Sequence, residues 1–150
     1  MSIPTRVNNF GTFFLTAACA ERRRIFQVDN NAKLLVETIL HYRTHYLLHA
    51  YVVMPDHFHL ILTPQDIAIE RAMQYIKGGF SRRYNAARKL KMEVWQRGYT
   101  DHRIRDAKDY AARKHYVEQN PVVRGLVEIA NQHEYSSANG IVAMDDYLRG

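Results

Sequence analysis

The stretch "AYVVMPDHFHLILTP", residues 50–64, decides the fold. Two apolar runs flank a Pro-Asp pair, and because Pro-Asp is typical of tight turns the stretch predicts a β-hairpin. Residues i and i+2 of a strand point to the same face of a sheet. His57 and His59 therefore project side by side, and Phe58 points to the opposite face.

Hydrophobic spacing predicts further helices and strands on both sides of this hairpin. A glycine pair, Gly78-Gly79, is expected to kink or weaken the long central helix. The predicted elements are a strand in residues 11–20, a helix in residues 30–46 with an Asn as N-cap, strands at about residues 47–54 and 57–63, a helix from Asp66, a short strand within residues 94–105, and a helix from Asp106 that ends near Asn120 because Pro121 follows.

The predicted order of elements indicates an α+β fold. Strand, helix, two strands, helix, strand and helix are expected to form a ferredoxin-like antiparallel sheet with helices packed mainly on one face. A length of 150 residues favours a single domain over residues 1–150.

Charge and composition narrow the partners and the compartment. Lys and Arg number 21 against 15 Asp and Glu, and the net charge of +6 favours a polyanionic partner such as nucleic acid. The single cysteine, Cys19, excludes an intrachain disulfide and a Cys-based zinc cluster. The N-terminus lacks a signal pattern and no apolar run reaches about 18 residues, so we expect a cytoplasmic protein without membrane contact.

The histidine pair has two interpretations. His-x-His is a short, common pattern, and its simpler interpretation is two structural or surface histidines. Alternatively, two neutral imidazoles on one face form a grip for a divalent metal. A third ligand is available on the last helix, where Asn120 follows Tyr116 by four positions and shares its face. Such an open site suits Mg²⁺ or Mn²⁺ acting on a phosphate, with Tyr116 placed as a nucleophile.

Five stretches of the chain carry a resemblance that covers about residues 10–139: "AYVVMPDHFHLILTP" (50–64), "AMQYIKGGFSRRYN" (72–85), "VWQRGYTDHRIRD" (94–106), "HYVEQNPVVRGLV" (115–127) and "EYSSAN" (134–139). In this order they resemble the single-tyrosine HUH transposases, and in particular their REP-associated tyrosine branch. Two departures exist. The tail motif lacks the tryptophan often seen before its serines, and Asn120 stands where insertion-sequence relatives often have Gln, with Gln119 beside it.

The resemblance implies metal-assisted cleavage and rejoining of single-stranded DNA beside a hairpin. Tyr116 would attack a phosphodiester and leave a 5′-phosphotyrosine and a free 3′-hydroxyl. Mg²⁺ or Mn²⁺ would be held by His57 and His59 with the amide of Asn120 or Gln119, and relatives act as monomers or as homodimers. A phenol with a reference pKa of about 10 needs such help at neutral pH.

Two other assignments stay open. Tyr110 and Tyr99 are alternative tyrosines, but Tyr110 lies nearly opposite Tyr116 on the helix and Tyr99 falls in a loop. The basic stretch of the long helix is either a solvated face or a DNA-binding surface. The candidate DNA-binding residues are Lys77, Arg82, Arg83, Tyr84 and Arg88, with Arg23, Arg24 and, more weakly, Arg22.

Two competing functions remain. A non-catalytic nucleic-acid-binding module of the same fold would keep the basic surface without cutting. A relaxase or rolling-circle initiator would draw a third histidine from the same sheet region, and the residues after His59 offer none. The sequence leaves open the DNA site, the oligomeric state, the metal used in the cell and whether this copy is active.

Overall fold

The computed structural model describes residues 11–147, and these form one four-stranded antiparallel sheet with three α-helices. The expectation about a signal pattern concerns residues 1–10, which lie outside the described residues. The elements are β1 (Phe13–Ala18), α1 (Asp29–His41), β2 (Tyr46–Met54), β3 (His57–Pro64), α2 (Ile69–Arg88), β4 (Thr100–Arg103) and α3 (Ala107–Val123), with 3₁₀ turns at Ala20–Arg22, Ile25–Gln27, Arg43–His45, Ala130–Gln132 and Ser137–Asn139.

The sheet order is β2-β3-β1-β4, which is the ferredoxin-like arrangement. The hairpin of β2 and β3 is confirmed, and Pro55-Asp56 forms its turn. Strand β3 lies between β2 and β1 in the sheet, and helices cover both of its faces. This position explains why β3 is almost uniformly apolar apart from its histidines.

The two faces of β3 separate the core from the histidines. Phe58 and Leu60 pack with α1 and α2 in the larger core, which also holds the buried Phe80. Ile61, two residues after His59, packs instead against Val117 of α3 in a smaller core. Two of the three helices therefore lie on one face of the sheet, as predicted, and α3 covers the face that carries the histidines.

Several details of the predicted helices were wrong, including two bounds: the first helix ends at His41 instead of residue 46, and the second begins at Ile69 instead of Asp66. Helix α1 begins at Asp29, and Asn31 sits in its first turn with its amide donating to Ile25 O at 2.9 Å. Helix α2 runs unbroken through its glycine pair. A Cβ at Gly79 would lie 3.1 Å from the Tyr42 ring, so the glycine allows α2 to pack closely against the end of α1. Helix α3 continues past Asn120 to Val123, with Pro121 inside its last turn.

The C-terminal segment covers the open edge of β2. Val53 N–H donates to Tyr135 O at 2.9 Å, and the Ser137 hydroxyl bonds both backbone groups of Tyr51. Farther along, Asp145 pairs with Leu48. These bonds leave little of the β2 edge available for pairing with another chain. Within residues 11–147 no helix combines the length and the apolar character needed to span a membrane.

Candidate active site

The histidine pair lies side by side, as the i, i+2 spacing predicted, with ring centroids 4.8 Å apart. Neither ring is on the surface, since His57 is 3% and His59 5% exposed. Each Nδ1 is held by a neighbour: Thr16 Oγ1 lies 2.7 Å from His59 Nδ1, and Asp56 Oδ1 lies 2.7 Å from His57 Nδ1. The two Nε2 atoms are therefore the nitrogens left for a ligand.

Both imidazoles are held in the neutral form. Burial, followed by the neighbouring His57 and the cations of Arg124 and Arg22, lowers the pKa of His59 to about 3. Burial also lowers the pKa of His57, although the Asp56 carboxylate opposes that shift. Neutral imidazole is the form that binds metals, so both rings are ready to act as ligands at physiological pH.

A third polar group comes from α3. Asp106 caps the start of this helix, and its carboxylate accepts from Asp109 N–H at 2.8 Å. Asn120, predicted as the amide ligand, is 3% exposed, whereas Gln119 is only partly buried. Asn120 Nδ2 is buried without a hydrogen-bond partner among the described residues, and so is His59 Nε2. Burial therefore favours Asn120 over Gln119.

These unpaired atoms test whether a divalent cation fits the site. A buried polar atom without a partner costs about 1–3 kcal/mol, so these two unpaired atoms favour a bound ligand. A half-turn of the Asn120 amide exchanges its nitrogen for an oxygen, which is the donor that Mg²⁺ and Mn²⁺ prefer. Within residues 11–147 no group of three or more His, Cys, Asp or Glu side chains could hold a metal, so a cation bound at the histidines would take its third protein donor from an amide such as that of Asn120.

Tyr116 stands over the histidines. Its ring packs edge-on against His59 at 5.4 Å and against Phe14 at 5.8 Å between centroids. The side chain is 48% exposed, so its hydroxyl can meet a large substrate. The helix therefore places Tyr116 beside the histidines, as the sequence predicted.

The alternative tyrosines are positioned differently. Tyr110 stacks on Tyr147 with centroids 4.3 Å apart and packs edge-on against the buried His49. Tyr99 lies in the loop before β4 and packs against the larger core. Neither lines the cleft that holds His59 and Tyr116.

His57, His59 and Tyr116 line an open cleft of about 420 Å³. Three arginines line it: Arg22 from the loop after β1, Arg113 from α3 and Arg124 just after α3. Sequence reasoning ranked Arg22 low and missed the other two. Their spacing carried a signal, since Arg113 precedes Tyr116 by three positions and Arg124 follows Asn120 by four, which places all four on one helix face.

The candidate DNA-binding residues of α2 lie away from this cleft, because α2 packs on the opposite face of the sheet. Lys77 Nζ donates to the carbonyls of Gln96 and Gly98, and Arg83 donates to Thr38 Oγ1 at 3.2 Å. Tyr84 is buried, Arg88 lies over its ring at 5.0 Å, and Arg82 is exposed.

The two candidate cations of the loop after β1 differ. Arg23 donates to Glu93 O and joins this loop to the segment before β4. Arg24 lines a smaller cavity of about 180 Å³ that shares His57 and Arg124 with the cleft. Of these two candidates, Arg24 therefore borders the site.

The sequence of this chain is similar to those of known transposases. The family model described as "Transposase IS200 like" matches residues 12–120, which include both histidines, Tyr116 and Asn120. The REP-associated tyrosine transposase of Escherichia coli K12 is 30% identical over 141 residues, covering 91% of this chain and 82% of that protein. A chain of Haemophilus influenzae, named as a candidate of the same kind, is also 30% identical over 151 residues, covering 91% of this chain and 85% of its own.

A solved structure extends the match to three dimensions. The REP-associated tyrosine transposase bound to a REP hairpin is 28% identical, with a TM-score of 0.74, over 99% of this chain and 93% of that one. The match in sequence and in fold therefore spans nearly the whole chain. This chain belongs to the IS200-like transposase family, in its REP-associated tyrosine branch.

Proposed function

We propose that this transposase cleaves and rejoins single-stranded DNA beside a hairpin through a covalent 5′-phosphotyrosine on Tyr116, with Mg²⁺ or Mn²⁺ as cofactor. One observation carries the proposal. The ring of the exposed Tyr116 packs against the buried His59 with centroids 5.4 Å apart, and His59 Nε2 has no partner among the described residues. The hairpin is inferred from the solved relative, which is bound to one.

The residues that would hold the cation are His57, His59 and Asn120. When bound, the cation would supply positive charge that favours a phenolate and stabilises charge developing on the phosphate oxygens. Thr16 and Asp56 fix the rings through their Nδ1 atoms, at 2.7 Å each, and so leave the Nε2 atoms for a ligand.

The protein groups account for the remaining chemistry. The phosphodiester enters the cleft between the histidines and Tyr116, where Arg22 and Arg124 add positive charge. The Tyr116 oxygen attacks phosphorus, a new O–P bond forms, and the bond to the upstream 3′-oxygen breaks. The 3′-hydroxyl of another strand can reverse the step, because the phosphotyrosine keeps the energy of the diester. No ATP is required.

The test is formation of a covalent adduct. The full chain is incubated with single strands from the flanks of its own gene, labelled at the 3′ end because the 5′-phosphotyrosine keeps the downstream fragment, with Mg²⁺, with Mn²⁺ or with EDTA. We expect labelled DNA to migrate with the protein on a denaturing gel only when a cation is present, and the labelled peptide after digestion to contain Tyr116. Hairpin binding without an adduct on any strand would instead support the non-catalytic binding module.

A further inference from the structure

The cleft holds three guanidinium groups that the metal and the nucleophile do not use. We propose that Arg22, Arg113 and Arg124 form a phosphate clamp for the cleaved strand, with Arg22 facing the phosphate that Tyr116 attacks. This inference rests on the proposed function and deepens it, because it assigns the path of the strand through the site.

The backbone that carries Arg22 is strained. Glu21 and Arg22 have φ values of 56° and 54°, two successive non-glycine residues in the left-handed region. L-residues other than glycine are strained in this region, and strain of this kind concentrates at functional sites. The loop is fixed in this conformation by the hairpin turn, since Cys19 N–H donates to Asp56 O and Phe26 N–H donates to Pro55 O, both at 2.9 Å.

The Asp56 carboxylate joins the strained loop to the histidines. One oxygen lies 2.7 Å from His57 Nδ1, and the other lies 3.4 Å from Arg22 Nε. The Arg22 guanidinium is therefore held beside His57 by its Nε edge, while its side chain stays 51% exposed. The two terminal nitrogens of an arginine held in this way remain able to donate to phosphate oxygens. Asp56 thus acts as a positioning residue for both a histidine and a cation.

The arginines from the α3 side have their own supports. Arg113 lies over the Phe14 ring at 5.3 Å, with Asp109 Oδ1 3.7 Å from its Nε. Asp109 is fixed in turn by His102 Nε2 at 2.9 Å and by Arg105 N–H at 3.0 Å. This chain of contacts holds the Arg113 guanidinium at the mouth of the cleft beside Tyr116.

The spacing of the three cations fits a strand that crosses the cleft. Arg113 and Arg124 are separated by three helical turns, about 16 Å along α3, so they reach different phosphates on either side of Tyr116. Arg22 reaches the same cleft from the loop after β1, through its contact with Asp56 beside His57. A strand held at three phosphates would present the middle one to the Tyr116 hydroxyl.

The clamp is separable from the α2 surface, which lies on the other face of the sheet. Removing one phosphate contact should lower the salt dependence of single-strand binding by about one in the log–log slope. Removing a donor that also faces the transition state should slow cleavage about 100-fold or more. Arg22 is expected to show both effects, and Arg113 and Arg124 mainly the first.

The experiment pairs arginine variants with methylphosphonate strands, in which one phosphate at a time is neutral. Binding is measured in the Tyr116→Phe background, where no cleavage intervenes, for Arg22→Gln, Arg113→Gln and Arg124→Gln. Arg71→Gln is the matched control, because Arg71 is exposed on α2. Thermal melts check folding, and Arg22→Lys keeps the charge if Arg22→Gln does not fold.

We expect each variant to lose affinity on the native strand and to lose nothing further when its own partner phosphate is neutral. Loss of affinity by an equal factor at every methylphosphonate position, or binding equal to that of Arg71→Gln, would overturn the clamp. Wild-type adduct formation is measured in parallel: a clamp signal without an adduct refutes the phosphotyrosine chemistry alone, and an adduct without position-specific coupling refutes the clamp alone.

Discussion

Replacing Tyr116 by Phe separates chemistry from packing, because it removes one oxygen from a half-exposed side chain. The contacts of the ring with His59 and Phe14 remain available to phenylalanine. Among the described residues no hydrogen bond to the Tyr116 hydroxyl is present, so stability should change by no more than about 0.5 kcal/mol. At about 2–4 °C per kcal/mol for a chain of this size, the melting temperature should move by less than roughly 2 °C.

Unlike stability, DNA cleavage should be strongly affected by Tyr116→Phe. Single-stranded DNA should still bind, and the covalent adduct should vanish, because neither Tyr110 nor Tyr99 lines the cleft. Tyr110→Phe is the control and should form the adduct, since that ring lies in the stack with Tyr147. An adduct that persists in Tyr116→Phe and maps to another tyrosine would refute the assignment of the catalytic helix face.

Four further outcomes follow from the site. His59→Ala should fold and bind hairpin DNA but lose cleavage, matching wild type in EDTA; cleavage in EDTA would remove the metal from the mechanism. Asn120→Ala should slow cleavage less than His59→Ala and more than Gln119→Ala, and equal rates for the two amide variants would show that position 120 is not a ligand. Burial lowers the folded-state pKa of His59 to about 3, against about 6.5 in the unfolded chain. The free energy of unfolding in EDTA should therefore fall as the pH drops from 7 to 5, and urea titrations should show a smaller fall for His59→Gln. If the α2 surface binds DNA, Arg82→Ala should weaken hairpin binding and lower its salt slope by about one; an unchanged slope would leave that helix as a solvated face.

The parts of the site that share one element could be predicted from sequence. His57 and His59 are two positions apart on a strand, and Tyr116 and Asn120 are four apart on a helix, so periodicity alone placed each pair on one face. The strand order also followed from the alternation of strand and helix patterns. The two face assignments depend on local geometry, which the sequence specifies directly.

The arginines could not be found in this way. The position of Arg22 depends on two left-handed residues and on bonds between the loop and the hairpin turn, which are contacts distant in sequence. Charge density drew attention to α2 instead, although that helix packs on the other face of the sheet. The end of α3 was also misjudged, because Pro121 is tolerated in a last turn where Arg124 N–H still donates to Asn120 O at 2.9 Å.

A second buried histidine shows why the functional interpretation of His59 is preferred to the structural one. His49 is fully buried, and both of its nitrogens have partners, Asp145 O and Thr63 Oγ1, each at 2.8 Å. His59 is almost equally buried and also has a partner at Nδ1, the Thr16 hydroxyl, yet its Nε2 has no partner among the described residues. A buried nitrogen without a hydrogen-bond partner lowers stability by about 1–3 kcal/mol, so a histidine that only packs in the core is expected to have both nitrogens paired. The same fold satisfies one imidazole completely and leaves the other open beside a tyrosine, which is the arrangement that a ligand-binding histidine requires.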